Sequence, residues 1–383
     1  MEPAAPPKTL PTVAMTVTLA AIAIAVMWRV IAVDMSVHLL PWFDHIVATG
    51  PLAAFARPFS NYSPAYLYLM AATTPLATVF SGASLIKALS VVGTIALALS
   101  VRRLLVRLGA PQPNRGAALM LITPTIAINA GLLGQCDAMW TAPLVMALVA
   151  MLNRRHVAML AWCGLALGFK VQALLVAPFF VGLLINRKIP LRLWPIAPLV
   201  AAATMVPAWA LGWPAGDLAT IYLRQADTYS ALSLNAPNVW TIVQGLPVWG
   251  PFLLGLALVA AAALTAAYVV WLSVARLAER ALISAALLAP LITAGLLPRM
   301  HERYFFMADI LAIVIALTVR DRRSWRTAAL IQGGSLLSLF AFISGIAGFA
   351  ALGAVLMILA TMMVARPLLK RAANNTAGPA QTA

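Results

Sequence analysis

Two aspartates, Asp34 and Asp44, stand in the first polar stretch of an otherwise apolar chain. An apolar run of roughly twenty residues, long enough to cross a bilayer, ends immediately before Asp34. A carboxylate at such a boundary can stay ionised in water and still act on a molecule anchored in lipid. Asp34 is therefore the candidate catalytic base, which takes a proton from a hydroxyl nucleophile. The alternative is a solvated aspartate at a helix end, and Asp44 is expected to shape the loop or to bind the acceptor.

Further polar side chains interrupt later apolar stretches. Gln135 and Asp137 follow Gly134, and polar side chains at a membrane boundary are costly unless they are paired or functional. We expect both to line a site, with an ordinary polar turn as the alternative. Lys170 lies inside an apolar stretch, where a lysine at a helix centre costs roughly 2.5–3.5 kcal/mol on insertion scales. It is expected to offer a cation to a phosphate, or else to extend its ammonium to the interface.

A last polar group consists of Arg299, His301, Glu302 and Arg303. Arginine holds phosphate oxygens in a bidentate fork, and histidine can donate to them. The alternative is a charge cluster in an ordinary loop. The sequence His-Glu-Arg lacks the second histidine of the HExxH zinc signature, so a divalent metal is only weakly supported and no cofactor is predicted.

The composition of the chain indicates which kind of secondary structure positions these residues. The chain has 383 residues, of which 63% are hydrophobic and 9% are charged. Apolar stretches near the spanning length recur from end to end, which predicts an all-α polytopic membrane protein. The formal net charge of +16 does not indicate a nucleic-acid partner, because the basic residues form small groups between apolar stretches.

Charges, prolines and glycines predict about twelve spanning helices, with both termini on the basic, cytoplasmic side. Residues 64–80 are interpreted as a helix lying on the outer face, because a span there would place Arg102, Arg103 and Arg107 outside. The predicted spans are 11–33, 84–101, 116–131, 138–152, 157–172, 173–185, 194–212, 250–274, 281–297, 304–319, 328–346 and 349–365.

The spans predict a single integral-membrane domain, 1–383, with long outer loops at 34–83 and 213–248 and a cytoplasmic tail at 366–383. The second loop contains Asn235 and Trp240, which suit either sugar binding or a membrane interface. Most acids fall on the predicted outer face, so we expect the chemistry there.

Taken in their order along the chain, the motifs that contain these polar residues resemble those of the GT-C superfamily of polyprenyl-phosphate-sugar-dependent glycosyltransferases. Asp34, then PWFDHI and NYSPAYLYL, resembles the first outer loop of that superfamily. GQCDAMW, GLALGFKVQALLVAPFF and MHERYFF resemble the dolichyl-phosphate-glucose glucosyltransferases of the N-glycan pathway. The closest overall likeness is to bacterial mannosyltransferases of the glycosylphosphatidylinositol type, over roughly residues 20–310.

The resemblance implies a GT-C-like bundle, a lipid-phosphate-linked donor, inversion at the anomeric carbon and an active site on the non-cytoplasmic face. It implies that Asp34 is the base and that Gln135 and Asp137 line the site. It also implies that Lys170 supports the donor side and that His301 and Glu302 hold the donor phosphate. This chain departs from the pattern where Ser63-Pro64-Ala65 replaces a Pro-Pro-Leu-like sequence and where Arg303 replaces a lysine.

The resemblance implies a hexosyltransferase of the bacterial inner membrane whose active site faces the periplasm, whereas the topology alone fits an endoplasmic-reticulum membrane equally well. It would move mannose or glucose from a polyprenyl-phosphate carrier to a lipid-linked or cell-envelope glycan, with Arg299 and Arg303 helping to neutralise the departing phosphate. A transporter or flippase of lipid-linked sugars is the alternative, compatible with Lys170 and Asp309, although the sequence contains no internal repeat. A polymerase or ligase with a diphosphate-linked donor is a third interpretation.

Overall fold

The structure is a computed structural model that describes residues 10–226, 231–247 and 250–376. Its helices are α1 (Val13–Met27), α2 (Leu40–Thr49), α3 (Pro64–Thr73), α4 (Gly82–Arg107), α5 (Pro113–Ile122), α6 (Pro124–Ile128), α7 (Asp137–Leu152), α8 (His156–Phe169), α9 (Ala177–Asn186), α10 (Ile196–Ala203), α11 (Val206–Ala210), α12 (Ala215–Ala226), α13 (Val239–Val243), α14 (Gly250–Val274), α15 (Glu279–Leu296), α16 (Phe306–Val319), α17 (Arg322–Ser344) and α18 (Ala347–Thr376). Two short strands, β1 (Ser233–Leu234) and β2 (Met300–His301), pair in parallel. The prediction of an all-α protein is confirmed.

Local sequence signals explain where several helices begin. The hydroxyl of Ser81 accepts the backbone N–H of Ser84 at 3.3 Å and caps α4. The carboxylate of Asp321 accepts the N–H of Ser324 at 2.7 Å and caps α17. Pro64 stands first in α3, where its missing N–H costs nothing because the first N–H groups of a helix have no partner within the helix.

Five helices of the described residues are long and apolar enough to cross a membrane: Gly82–Arg107, Phe252–Val274, Glu279–Leu296, Arg322–Ser344 and Ala347–Lys370. A sixth candidate is the pair Pro113–Ile122 and Pro124–Leu133, which is bent by 52° where Pro124 interrupts it. These helices support an integral membrane protein in a lipid bilayer. The twelve-span count stays a prediction.

The segment predicted as an outer helix, 64–80, contains α3 followed by a 3₁₀ turn, Thr74–Thr78. A ten-residue helix such as α3 is about 15 Å long, which is half of the roughly 30 Å hydrocarbon core of a bilayer. Helix α3 is too short to span alone. Its position on the outer face stays a prediction.

The chain divides into two compact units. The first unit comprises Thr9–Ala173 and Pro190–Ser230. In it α4 packs against α5 and α7, and α8 packs against α7 and α10. The polar stretch after α1 folds over an aromatic core formed by Trp42, Phe43, Phe55, Tyr62, Tyr66 and Trp213. The predicted outer loop 34–83 is thus a packed set of short helices, and this packing positions the residues around Asp34.

The second unit contains Leu174–Ile189 and Ala231–Ala383. Here α14 packs against α9 and α15, α16 packs against α15 and α17, and α17 packs against α18. A Cβ on Gly353 would lie 2.7 Å from the carbonyl oxygen of Gly334, so the close crossing of α17 and α18 requires glycine there.

Helix α18 continues into the predicted tail, 366–383. The last part of that tail, 377–383, and residues 227–230 and 248 of the second predicted loop lie outside the described residues. The single-domain prediction stays a prediction.

Candidate active site

Asp34 lies between α1 and α2 in the first unit, at the start of a π-helical turn, Met35–Leu39. Its side chain is half-buried. Nε2 of Gln135 donates to Oδ2 of Asp34 at 3.4 Å, across 101 residues of sequence. Single π-helical turns are rare and often mark functional sites. The fold therefore holds the candidate base where a partner from a distant helix orients it.

Lys87 is fully buried in α4 and closes the end of α1. Its ammonium donates to the backbone carbonyls of Met27 at 2.9 Å, Trp28 at 2.9 Å and Val30 at 2.6 Å. The last carbonyls of a helix lack partners within the helix, and the three donors of an ammonium can satisfy them. Because these carbonyls belong to the segment that leads to Asp34, Lys87 fixes the approach to the candidate base.

The turn before Gln135 depends on Gly134. A second π-helical turn, Asn129–Leu133, ends at Gly134, whose φ of 62° is left-handed. A Cβ at this position would lie 2.2 Å from Cε of Met35. Glycine therefore allows the two π-helical turns to approach and brings Gln135 to Asp34. The side chain of Gln135 is 2% exposed, and its Oε1 accepts the hydroxyl of Tyr62 at 3.3 Å.

Asp137 and Lys170 form a buried ion pair. Nζ of Lys170 donates to Oδ1 of Asp137 at 2.7 Å, and each side chain is 1% exposed. The same oxygen accepts the indole N–H of Trp140 at 2.9 Å, and Oδ2 accepts the amide of Asn129 at 2.8 Å. A buried ion pair is tolerated when further hydrogen bonds satisfy its charges. Lys170 is therefore buried within the protein and paired with a carboxylate.

Tyr62 connects this ion pair to the candidate base. The ammonium of Lys170 lies 5.1 Å from the centroid of the Tyr62 ring, a cation–π distance, and the Tyr62 hydroxyl reaches Gln135. We call Asp34, Tyr62, Gln135, Asp137 and Lys170 the Asp34 cluster. The structure thus brings together four residues that the sequence had singled out separately.

Ser63, one of the departures from the GT-C pattern, anchors the start of α3. Its hydroxyl donates to the carbonyl of Gly168 at 2.7 Å and reaches the carbonyl of Phe169 at 3.0 Å. These carbonyls end α8 immediately before Lys170. Ser63 therefore ties the Tyr62 segment to the Lys170 segment, a contact that a proline at this position would lack.

Asp44 lies apart from this arrangement. It is an exposed residue of α2, whereas the buried face of that helix consists of Trp42, Phe43 and Ile46. Within the described part of the chain, Asp44 has no hydrogen bond or ion pair. Its predicted part in binding an acceptor stays a prediction.

The second predicted group belongs to the second unit. Nη1 of Arg303 lies 2.5 Å from Oε1 of Glu302, and Nδ1 of His301 lies 3.6 Å from Oε2. Glu302 is fully buried, and His301 and Arg303 are buried. We call these three residues the Glu302 cluster. It is a compact charged group in which one carboxylate holds two potential cations.

Burial alone would raise the pKa of Glu302. The guanidinium of Arg303 and the hydrogen bond and charge of His301 outweigh burial and lower that pKa to about 2. Glu302 is therefore ionised at neutral pH. Because a carboxylate repels a phosphate, this geometry favours a part in holding Arg303 and His301 over direct contact with phosphate.

Backbone pairing fixes the segment that carries this cluster. The N–H of Arg299 donates to the carbonyl of Leu232 at 2.9 Å, and Arg299 has a left-handed φ of 61°. Leu234 pairs with His301 through the two short strands. A non-glycine residue in the left-handed region is uncommon and is typical of turns and constrained sites.

Asn238 and Trp240 serve the fold. The amide of Asn238 donates to the carbonyls of Ala294 at 3.2 Å and Leu297 at 3.3 Å, and the indole N–H of Trp240 donates to the carbonyl of Leu296. Trp240 is 6% exposed. Of the two interpretations of this loop, the structure favours packing for Trp240, since a buried ring offers no face to a sugar.

Within the described ranges, no group of three or more His, Cys, Asp or Glu side chains lies close enough together to hold a metal ion. The divalent metal that the sequence supports only weakly gains no candidate ligand set from these residues. Cys136 is buried and Cys163 is partly buried, and both are free thiols.

Sequence reasoning assigned no function to Lys87, Tyr62 or Asn129. A buried lysine inside a predicted span was a signal for Lys87, because intramembrane ionisable residues are rare and usually have a specific partner. Tyr62 and Asn129 gave no comparable signal. Their roles depend on hydrogen bonds to Gln135, 73 residues away, and to Asp137, 8 residues away.

A search against models of protein families finds no family that matches this chain. A search of curated proteins finds no match either. The GT-C resemblance therefore remains a prediction from the sequence motifs.

Proposed function

We propose that this chain is an inverting glycosyltransferase of the GT-C type, which moves mannose or glucose from a polyprenyl-phosphate carrier to a lipid-linked or cell-envelope glycan. One observation carries the proposal. The half-buried carboxylate of Asp34 accepts a hydrogen bond from Gln135, which Tyr62 joins to the buried Lys170–Asp137 pair. A base oriented by buried neighbours suits proton transfer from a hydroxyl.

In the proposed reaction, Asp34 accepts the proton of the acceptor hydroxyl while the hydroxyl oxygen bonds to the anomeric carbon. The bond between that carbon and the phosphate oxygen breaks, and the polyprenyl phosphate leaves with the bonding electrons. Attack opposite the leaving group inverts the anomeric configuration. Gln135 orients the Asp34 carboxylate in this step.

Arg299, His301 and Arg303 are the proposed partners of the departing phosphate, because cations stabilise charge that develops on a leaving group. Lys170 and Glu302 take supporting parts. Lys170 is paired with Asp137 at 2.7 Å, so it holds Asp137 and Tyr62 in position. Glu302 is paired with Arg303 and holds that guanidinium.

The proposed topology has twelve spans, both termini in the cytoplasm, and an active site that faces the periplasm from a bacterial inner membrane. The five long apolar helices, the bent pair and six shorter apolar helices together make twelve candidates. They overlap the twelve segments that hydropathy and charge predict. The six shorter helices need local thinning of the bilayer or neighbouring protein, because a helix shorter than the hydrocarbon core cannot cross it unaided.

A flippase of lipid-linked sugars is the second candidate, and one observation favours it. The ion pair of Lys170 and Asp137 is buried among apolar helices, and buried intramembrane charges are typical of transport pathways. A flippase would not need a base at Asp34, so the two proposals differ in the chemistry they require.

The test is a transfer assay with purified protein in lipid vesicles. Radiolabelled polyprenyl-phosphate mannose and polyprenyl-phosphate glucose are offered separately, with an envelope-lipid extract as acceptor. We expect label to move to the acceptor from one of the two donors. Label that stays on the carrier and crosses the bilayer would contradict the transferase and support the flippase. Transfer from a diphosphate-linked donor alone would indicate a polymerase or ligase.

A further inference from the structure

A cavity of about 220 Å³ lies within the second unit, at the end of the bundle where α16 leads into α17. Four helices line it, α15, α16, α17 and α18. One part of its lining is apolar and another part is polar. Leu287, Ile315 and Leu368 contribute apolar surface, whereas Arg323, Ser324 and Thr327 contribute polar groups. The cavity therefore suits a molecule with one apolar part and one polar part.

One basic side chain, Arg323, belongs to the polar part of the lining. Arg323 lines the cavity, and its Nη2 donates to the carbonyl of Met363 on α18 at 2.7 Å. A guanidinium has five N–H donors, so this bond leaves Arg323 able to hold a further acceptor. The neighbouring basic residues at the same helix ends are Arg320, Arg322, Arg326, Arg366 and Lys370.

The acids at this end balance only part of that charge. Asp321 lines the cavity and accepts the backbone N–H of Ser324, so its carboxylate is engaged as the cap of α17. Glu279 and Arg280 begin α15 with opposite charges. In sequence, six basic residues stand among or beside the lining residues, against Asp321 and the oppositely charged pair Glu279 and Arg280, so these segments carry a net positive charge.

We infer that this cavity binds one anionic phospholipid, with its phosphate at Arg323 and the first part of one acyl chain against Leu287, Ile315 and Leu368. Basic pockets between spanning helices bind anionic lipid head groups, and each nearby arginine strengthens such binding. The apolar wall distinguishes the site from a charged surface, because it offers a place to a chain as well as to a phosphate.

The site does not depend on the proposed transfer reaction. All of its residues belong to the second unit, and none belongs to the Asp34 cluster or the Glu302 cluster. The lipid would hold α17 against α18 at the end where Arg323 already joins them.

The experiment is native mass spectrometry of the purified full-length protein, equilibrated in detergent with equal amounts of phosphatidylglycerol and phosphatidylcholine. We expect one phosphatidylglycerol to be retained in preference. Arg323→Gln should weaken that retention about fivefold, from the loss of one cation. The matched control, Arg154→Gln, removes one exposed cation from the first unit and should leave retention unchanged.

A second variant, Ala312→Leu, tests the apolar part, since Ala312 lines the cavity and a larger side chain would fill it. Loss of retention in this variant, with an unchanged elution profile and melting temperature, supports the cavity site. If Ala312→Leu retained phosphatidylglycerol and the arginine variant did not, diffuse surface charge would be holding the lipid, and the inference would be overturned. Equal retention of phosphatidylcholine, equal retention by the arginine variant, or displacement by millimolar inorganic phosphate alone would overturn it as well.

Discussion

Asp34 and Glu302 are both carboxylates that the sequence singles out, but their surroundings differ. Asp34 is half-buried and accepts a hydrogen bond from the neutral amide of Gln135. Glu302 is fully buried and lies against Arg303 and His301, which hold its pKa at about 2. The first carboxylate is oriented by a neutral group, whereas the second is fixed as an anion by its neighbours.

This difference teaches which carboxylate can do chemistry. A general base must gain a proton during the reaction, and the neighbours of Glu302 oppose that change. The Asp34 carboxylate accepts its hydrogen bond from the neutral amide of Gln135, which orients it. Each cluster also contains an ion pair, Lys170 with Asp137 and Arg303 with Glu302, which positions other groups. Four substitutions test this division, from the largest expected effect to the smallest.

Lys170→Met would leave Asp137 as a buried and unbalanced charge. We expect it to lower the free energy of unfolding by about 3–5 kcal/mol, the usual cost of breaking a buried pair from one side. Denaturation in detergent measures the loss. The control Arg192→Met removes an exposed cation and should change stability by less than about 0.5 kcal/mol. Equal effects of the two variants would contradict a structural ion pair.

Glu302→Gln would remove the pH dependence that the Glu302 cluster gives to folding stability. The folded-state pKa is lowered from 4.5 to about 2, so the stabilisation is complete above pH 4.5 and is lost as the pH falls toward 2. It amounts to about 3 kcal/mol at most. Thermal unfolding of both proteins between pH 7 and pH 3 should show their difference narrowing below pH 4.5. A constant difference would mean that Glu302 is not held as an anion.

Lys87→Met would release the carbonyls at the end of α1. Hydrogen bonds from a charged donor contribute about 1.5–3 kcal/mol, so we expect a loss of about 2 kcal/mol in stability together with slower transfer. Ser84→Ala is the matched control on the same helix, since it removes only neutral hydrogen bonds, which the Ser84 hydroxyl accepts from the Trp28 indole and the Ser81 hydroxyl. If Ser84→Ala lowered stability and transfer as much as Lys87→Met, the effect of Lys87→Met could not be assigned to the charged ammonium.

Gln135→Met would keep the size of the side chain and remove the donor to Asp34. We expect transfer to slow about tenfold, the loss of one modest hydrogen bond of about 1.4 kcal/mol, with little change in KM. Steady-state rates over a range of acceptor concentrations separate these quantities. A rise in KM at constant kcat would mean that Gln135 binds the acceptor and does not orient the base.

The sequence predicted the helical fold because hydrophobic stretches near the spanning length recur along the chain, whereas the outer-face position that charge placement gives to 64–80 stays a prediction. It singled out Asp34, Gln135, Asp137 and Lys170 because polar residues are costly in apolar surroundings. It did not reveal that Lys170 pairs with Asp137, or that Lys87 closes α1. Those contacts depend on how helices pack across long sequence separations, which hydropathy and charge do not encode.

The most direct test of the central claim compares Asp34→Asn with Asp44→Asn in the transfer assay, using the donor that wild type accepts. Both variants remove one carboxylate from the same predicted loop. The account predicts that Asp34→Asn slows transfer by about 10²–10⁴-fold, the usual contribution of a general base, with unchanged unfolding and donor binding. Asp44→Asn, on the exposed face of α2, should retain most of the rate. Wild-type turnover by Asp34→Asn would contradict the assignment of Asp34 as the catalytic base.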